Sequence, residues 1–428
     1  MTVLVLHRNP LGGFPYDHWL ADHPGGVVLL ADRSRIEAFG ERAPAGNLGY
    51  RHLEVLDDFE DTARLLERAL DLARTHGVTR VLAFHEGDLE HAAVLRERLG
   101  LPGPRPADVL PFRDKVVMKR RLRAAGLEVA AHTVPADAEE VRAFAARHGL
   151  PLVFKARDGF GSRGLRIVRT AAELEAQLAR EYAGRREGGR GPRGDLLLEA
   201  FVPGRMCHVD GLVVGGRTVL AWPSQYQYDL ASFGSDPGPR IDLTLEAGDP
   251  LTGRLLEVAE QALRALGRPG DHAFHAEVFH TPDDRLVVCE VAARPGGARI
   301  REVLSAVFGV NPAEAAARAA VGLELPWATR RLAPRRMAGQ VLLMKRPGTV
   351  RAVPGRPAEP WVEYCGVFAR PGQVLAGAGG SADFLAAAVV SAPTRQLCEL
   401  RLRRLGDRFR EQTVIDPPVR RPRPAHTP

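Results

Sequence analysis

A lysine at the end of an apolar run, followed by closely spaced glycines, is the first feature of this sequence suited to phosphate. Pro151-Leu152-Val153-Phe154-Lys155 leads into Ala156-Arg157-Asp158-Gly159-Phe160-Gly161-Ser162-Arg163-Gly164, and a second apolar stretch ends at Val168. Lys155 ends the first strand, where its ammonium can serve as a point charge for a phosphate. Gly159, Gly161 and Gly164, with Ser162 between them, form a turn whose backbone N–H groups can close over phosphate oxygens without side-chain obstruction. The Walker A pattern GxxxxGK[ST] is absent. Further on, Leu196-Leu197-Leu198-Glu199 runs into Ala200-Phe201-Val202-Pro203-Gly204. An apolar strand ending in an acid suits a hinge that reads adenine. Backbone groups bond the base edge while the Glu199 carboxylate accepts from the amino group.

A third segment carries paired acids. His275-Ala276-Glu277-Val278-Phe279 and Leu286-Val287-Val288-Cys289-Glu290-Val291 are strand-like runs joined by a turn at Pro282-Asp283-Asp284, the pattern of an antiparallel hairpin. Glu277 and Glu290 then face one another across neighbouring strands. Carboxylates so placed repel unless a hard cation lies between them, and Mg²⁺ takes carboxylate together with phosphate oxygens. Arg294 follows where the strand gives way to Pro295-Gly296-Gly297; its planar fork can hold a phosphate or carboxylate. Taken singly, the segments also fit an ordinary hairpin, a strand-end carboxylate and surface charges. The apolar flanks of Glu277 and Glu290 argue against the last of these.

The elements that must position these residues follow from the apolar pattern. Thr2 to Leu6, Val27 to Ala31 and Val78 to Phe84 read as buried parallel strands, and Asp58 to His76 carries apolar residues at helical spacing. Strands alternating with helices predict a doubly wound α/β unit over residues 1–108. No GxGxxG follows the first strand. Leu101-Pro102-Gly103-Pro104-Arg105-Pro106 marks the boundary. A helix is predicted from Asp114 to Ala125 with Gly126 at its C-terminal cap. A second α/β stretch, 109–330, holds a small lobe at about 128–202, then a larger one, and is interrupted by a polar Gly-rich loop, Ala183 to Gly194. From 331 to 415 the pattern is strand-rich, with turns at Pro347-Gly348, Pro354-Gly355 and Pro371-Gly372. A helix is predicted from Ala382 to about Val390, and a strand leading into a final helix after Pro393. Residues 416–428 read as a disordered, basic, Pro-rich tail.

Composition excludes several classes. The chain is 45% hydrophobic and 26% charged, as expected of a globular protein with real cores. Its net charge of +7 draws partly on Arg420-Arg421-Pro422-Arg423, but no aromatic residues alternate with these, so a solvated tail is favoured over nucleic-acid binding. Cys207, Cys289, Cys365 and Cys398 form no CxxC pair and are expected to be reduced. No stretch approaches the about 18 apolar residues of a membrane span, and Met1 to Leu6 has no cleavage pattern after it. The expected location is the cytoplasm.

In their order along the chain, these motifs resemble the ATP-grasp superfamily, and the resemblance covers most of the sequence. It implies an N-terminal doubly wound α/β domain, a central domain clamping ATP between antiparallel sheets, and a C-terminal strand-rich lobe. Pro111-Phe112-Arg113-Asp114-Lys115-Val116-Val117-Met118-Lys119 is similar to the family's "DK…M" helix start, which implies a phosphate contact for Lys115. Lys155 matches the second phosphate-binding lysine, Gly159 to Gly164 the phosphate loop, and Glu199, Ala200 and Val202 the adenine hinge. His208 resembles a ribose or adenine contact of the carboxylase-like branch. Glu277 and Glu290 match the metal-binding acids, and Arg294 the arginine of E-x-N-x-R. The sequence departs at Ala292, where many members carry an Asn ligand. The implied cofactors are ATP and one or two Mg²⁺ ions, for which Mn²⁺ can substitute.

The implied activity is phosphoryl transfer from ATP to a carboxylate, then attack on the acyl phosphate by an amine, with Lys155 and Arg294 as catalytic groups. The stretch Glu290 to Gly297 and the turn at Pro347-Gly348-Thr349-Val350 resemble the amino-acid ligase branch, which implies an amide or peptide product, small-molecule carboxylate and amine partners, and a setting in specialised metabolism. A homodimer is compatible with the resemblance. A biotin-carboxylase-like enzyme and a non-catalytic nucleotide-binding regulator are the competing expectations.

Overall fold

Unbroken apolar runs such as Val3-Leu4-Val5-Leu6 suit strands covered on both faces, and the computed structural model places them so. It describes residues 1–182, 196–228, 232, 236 and 238–418. The loop expected over Ala183 to Gly194 falls outside the described residues, as do parts of the segment Tyr226 to Phe233 and residues 419–428 of the tail. In the N-terminal unit β1 (Thr2–His7), β2 (Val27–Asp32), β3 (His52–Leu56) and β4 (Val78–Ala83) form a parallel sheet ordered β3-β2-β1-β4. The helix Thr62–His76 packs on it, begun by the Asp61 side chain and ended by Gly77 in the left-handed region. β3 escapes the apolar pattern because it is a half-buried edge strand with polar His52 and Glu54. Strand order reverses between β1 and β4, so the chain leaving their C-terminal ends opens a crevice there.

The second sheet contains β5 (His132–Thr133), β6 (Leu152–Ala156), β7 (Arg166–Val168) and β8 (Leu196–Ala200), ordered β5-β8-β6-β7 and antiparallel. Leu152 pairs with Val168 across the glycine-rich turn. The third sheet is the largest. It joins β9 (Arg205–Val214), β10 (Arg217–Tyr226), β11 (Arg240–Thr244), β12 (His272–His280), β13 (Leu286–Ala292) and β14 (Met337–Met344) to two later strands. β15 (Gly348–Ala352) lies apart, in a small sheet with β17 (Val374–Leu375) and β19 (Val414–Asp416). β16 (Val362–Val367) and β18 (Phe384–Ala392) complete the large sheet, whose order is β13-β12-β9-β10-β11-β14-β18-β16. Strands on both sides of residue 330 therefore share one sheet.

Three expectations are corrected here. The helix read over Ala382 to Val390 is strand β18, buried along its whole length between β14 and β16. Its alanines favour helix intrinsically, but burial on both faces decides. After Pro393 the helix comes first, Arg395–Gln412, with Thr394 accepting from the N–H of Leu397, and the strand follows it. Asp416, assigned to the tail, pairs with Thr349 in β19. Among the described residues no helix is long and apolar enough to cross a membrane.

Candidate active site

The three larger sheets border a cleft of about 1320 Å³, and Lys115, Lys155, Glu199, Glu277, Glu290 and Arg294 all line it. Lys115 is placed by the start of its helix, Lys115–Ala124, where the Asp114 carboxylate accepts from the N–H groups of Val116 and Val117 at 2.8 and 3.1 Å. Arg157, beside the glycine-rich turn, ion-pairs with Asp114. The Lys115 ammonium donates to the Gly159 carbonyl and lies 3.2 Å from Glu290. One side chain thus ties the helix start to both the loop and the acidic pair.

One turn along the same helix face is Lys119, fully buried, to which the sequence pattern assigns no role. Its ammonium is 3.0 Å from Glu199 Oε1, and that of Lys155 is 2.9 Å from Glu199 Oε2. Burial opposes the charge on Glu199, yet Lys119 and Lys155 hold its carboxyl down at about 2. Burial likewise opposes the charge on Lys155, and Glu199, with Cys289 and Glu290 near, raises its pKa above the ordinary lysine value. The carboxylate expected to accept from adenine is therefore engaged by two ammonium groups. The N–H groups of Ala200 and Phe201 are also taken, by the carbonyls of Ala131 and Pro151 at 2.9 and 3.2 Å.

The glycine-rich turn uses the left-handed region at Gly161, Ser162 and Gly164 (φ 64°, 57° and 70°). The Gly161 carbonyl accepts from the Ser381 N–H at 3.2 Å, and Phe160 meets the His85 ring edge-on at 5.1 Å. The turn thereby touches both the N-terminal unit and the segment before β18.

Glu277 and Glu290 are directly paired in the β12–β13 register. Both point a partly exposed carboxylate at the cleft, Glu290 beside Lys115 and Glu277 3.6 Å from His275 Nε2. Burial disfavours the charge of Glu277, but His275, His208 and Arg294 hold its pKa below the ordinary value. Two facing carboxylates on one cleft wall fit a hard divalent cation. Ala292, buried opposite His275, offers no further oxygen.

Arg294 is anchored from another part of the molecule. Glu86, just beyond β4, accepts its Nε and Nη2 on one oxygen at 2.8 and 2.5 Å, while Arg113 donates to the other oxygen at 3.0 Å. Burial works against the charge on both Arg294 and Glu86. Their mutual attraction nonetheless raises the arginine's pKa and, with Arg113, lowers that of the acid. Nothing in the spacing around Glu86 flags it. The crevice at the C-terminal end of β4 is the only signal, and it needs the strand order.

His208 is a correction. Expected as a nucleotide contact, it is 1% exposed. Its Nδ1 bonds Asp210, its Nε2 lies 2.9 Å from Asp242 Oδ1, and the Tyr226 ring lies against it at 4.7 Å. With both nitrogens held by carboxylates it has none for a ribose. His208, Asp210 and His275 bring possible ligand atoms within 4.8 Å of one another. Every ring nitrogen there already faces a carboxylate, the pattern of a hydrogen-bonded chain.

Residues 114–208 match the family model for the carbamoyl-phosphate synthase L chain, ATP binding domain. The chain is 24% identical over 268 residues to an L-arginine-specific L-amino acid ligase of Bacillus subtilis, covering 61% of this chain and 62% of that protein. It is 37% identical over 235 residues to the N5-carboxyaminoimidazole ribonucleotide synthase of Mycobacterium tuberculosis, covering 52% and 50%. These alignments thus span between half and two thirds of the relatives' lengths. The backbone superposes on an L-amino acid ligase from Bacillus licheniformis with a TM-score of 0.75 at 18% identity, over 97% of this chain and 98% of that one. An ATP-binding-domain match running from the lysine helix through the hinge, on a fold shared almost end to end with an amino acid ligase, gives this chain the ATP-grasp fold.

Proposed function

We propose that the protein is an ATP-dependent carboxylate–amine ligase that forms an amide or peptide bond through an acyl phosphate, releasing ADP and phosphate. The observation that carries this reading is the meeting of Lys115, Lys155, Glu277, Glu290 and Arg294 in one cleft. Phosphoryl transfer makes two demands: neutralisation of the charge on the transferring group, and alignment of the attacking and leaving oxygens. Lys115 and Lys155 supply fixed positive charge to the cleft. Glu277 and Glu290 would hold Mg²⁺, for which Mn²⁺ can substitute, and the ion when bound neutralises phosphate charge. Arg294, held by Glu86, presents its remaining donors where a carboxylate or acyl phosphate would lie.

Adenine recognition falls to the hinge backbone around Val202, beyond the end of β8, since Glu199 is engaged by the two lysines. Glu199 instead keeps Lys155 charged and in place. The glycine-rich turn, in contact with His85 and Ser381, covers the site and excludes the water that would hydrolyse an acyl phosphate. Support for an amino-acid substrate comes from the likeness to the two amino acid ligases.

The test is a coupled screen of ADP release from the purified protein against pairs of amino acids and other carboxylates, followed by phosphorus NMR of the completed reaction. ADP and phosphate formed in equal amounts with an amide product are expected. AMP and pyrophosphate as main products would overturn the reading.

A further inference from the structure

Behind Glu277 a row of buried polar side chains crosses the large sheet. His275 Nε2 makes an ion-pair contact with Glu277 at 3.6 Å. Its Nδ1 lies 2.9 Å from Asp210 Oδ1, and Asp210 Oδ2 bonds His208 Nδ1. His208 Nε2 is 2.9 Å from Asp242 Oδ1. Gln340 carries the row on: its Nε2 donates to Asp242 Oδ2 at 3.0 Å, and its Oε1 accepts the backbone N–H of Arg299 at 2.8 Å. The members stand on β12, β9, β11 and β14, and His208, Asp210, Asp242 and Gln340 are each 1% exposed.

A sheet face this deep would be more stable lined with apolar side chains, because buried ionisable groups lose hydration that pairing only partly restores. Here each ring nitrogen of His275 and His208 and each carboxylate oxygen of Asp210 and Asp242 meets a partner, which fixes the row from Glu277 to Gln340. Its two ends lie on the same cleft: Glu277 at one, the N–H of Arg299 at the start of the helix Ile300–Phe308 at the other. The turn after Arg294 is fitted to the row as well. A Cβ on Gly296 would stand 2.4 Å from Asp210 Oδ1, so a side chain there would push the carboxylate from its place.

Asp210 sits centrally, gripping both histidines at once and touching neither Glu277 nor the open cleft. We propose that Asp210 is a positioning residue: through His275 it fixes the Glu277 carboxylate in the orientation that ligates the divalent cation of the bound nucleotide. This rests on the reading of Glu277 as a metal ligand. Groups that orient a metal ligand from behind commonly set metal affinity by about 10- to 100-fold.

The test uses the full chain, with Mn²⁺ as a spectroscopic probe of the site. Mn²⁺ binding in the presence of saturating ADP is followed by electron paramagnetic resonance for the parent, Asp210→Asn, His275→Gln and Glu277→Gln. ADP binding without metal is measured by calorimetry in EDTA. Asp210→Asn and His275→Gln are expected to weaken Mn²⁺ binding about tenfold or more and to change metal-free ADP binding less than twofold. If Asp210→Asn fails to fold, His275→Gln, which cuts the same link nearer the ligand, decides alone. Mn²⁺ affinity within twofold of the parent, or an equal loss of metal-free ADP binding, overturns the proposal. If Glu277→Gln also leaves Mn²⁺ affinity unchanged, the metal assignment itself falls and the proposal with it.

Discussion

Glu86 and Arg294 stand 208 residues apart in the chain, yet one Glu86 oxygen receives two guanidinium N–H groups, the nearer at 2.5 Å. The acid leaves the end of a parallel strand in the N-terminal unit, and the arginine leaves the end of a strand in the large sheet. Arg113, on the same acid, also donates to the Asp158 carbonyl at 2.9 Å. Two units and the glycine-rich turn are thereby joined at one buried carboxylate.

Glu86→Gln keeps the shape and removes the charge, leaving Arg113 and Arg294 uncompensated in a buried place. Breaking a buried pair from one side costs about 3–5 kcal/mol, so the melting temperature should fall clearly. In protein that remains folded, kcat/KM should drop by about 10- to 100-fold as Arg294 loses its orientation. Thermal melts and steady-state kinetics check both. A parent-like kcat/KM would show that Arg294 needs no support from the N-terminal unit.

Arg294→Lys preserves charge and loses the planar fork. Loss of a well-placed donor costs about 2–4 kcal/mol in the transition state, so kcat/KM should fall by about 10² or more. ATP affinity should change much less, because the hinge after Glu199 is untouched. Circular dichroism before the kinetics confirms the fold, and near-normal turnover would make Arg294 a structural residue only.

Glu290→Gln removes one anionic ligand from the cation site. Activity at ordinary Mg²⁺ should collapse, with partial recovery at high Mg²⁺ or Mn²⁺. Its ion pair with Lys115 at 3.2 Å is partly exposed, so the melting temperature without nucleotide should change little. A Mg²⁺ titration of the rate makes the measurement; retained activity at ordinary Mg²⁺ would exclude Glu290 as a ligand.

Glu199 predicts an acid limb of stability. Its carboxyl is depressed in the fold from 4.5 to about 2. A depressed acid contributes stability that is full above its unfolded value and is lost as pH falls through that range towards the folded one. The difference in unfolding free energy between the parent and Glu199→Gln should therefore be constant above about pH 5 and shrink by on the order of 3 kcal/mol towards pH 2. Urea unfolding at several pH values tests it. A difference independent of pH would mean that Glu199 titrates normally.

The parts of this site legible in the sequence are those with a local signature. Glu277 and Glu290 lie on a hairpin announced by its turn, although the turn's spacing alone would set Glu277 against Cys289 and a register shift between Glu277 and Val278 brings it opposite Glu290. Lys115 and the Asp114 cap announce a helix start. Strand β18 misleads because a continuous Ala- and Val-rich run has no period, and only its burial between two neighbours makes it a strand. Lys119 reads as one more polar residue on a basic helix until Glu199 is placed beside it. Glu86, Asp210 and Asp242 acquire their roles from strand order, which local pattern does not encode. His208 misleads for the same reason: it alternates with Asp210 on β9, and its side of the sheet shows only when β11 brings Asp242 to it.

The pairing of β11 with β14 also governs how this chain can be divided. Arg240 to Leu243 are bonded to Gly339 to Leu342, and β14 is bonded in turn to β18. Truncation near residue 330 would leave β11 with an open row of N–H and C=O groups, an invitation to intermolecular pairing. It would also take Gln340 away from Asp242 and from the turn that follows Arg294. The last hundred residues are thus no exchangeable accessory. Chimeras with the proteins it resembles need their junctions in the connections between sheets, such as the Pro-rich stretch at 101–106, and not within the span from Arg205 to Ala392.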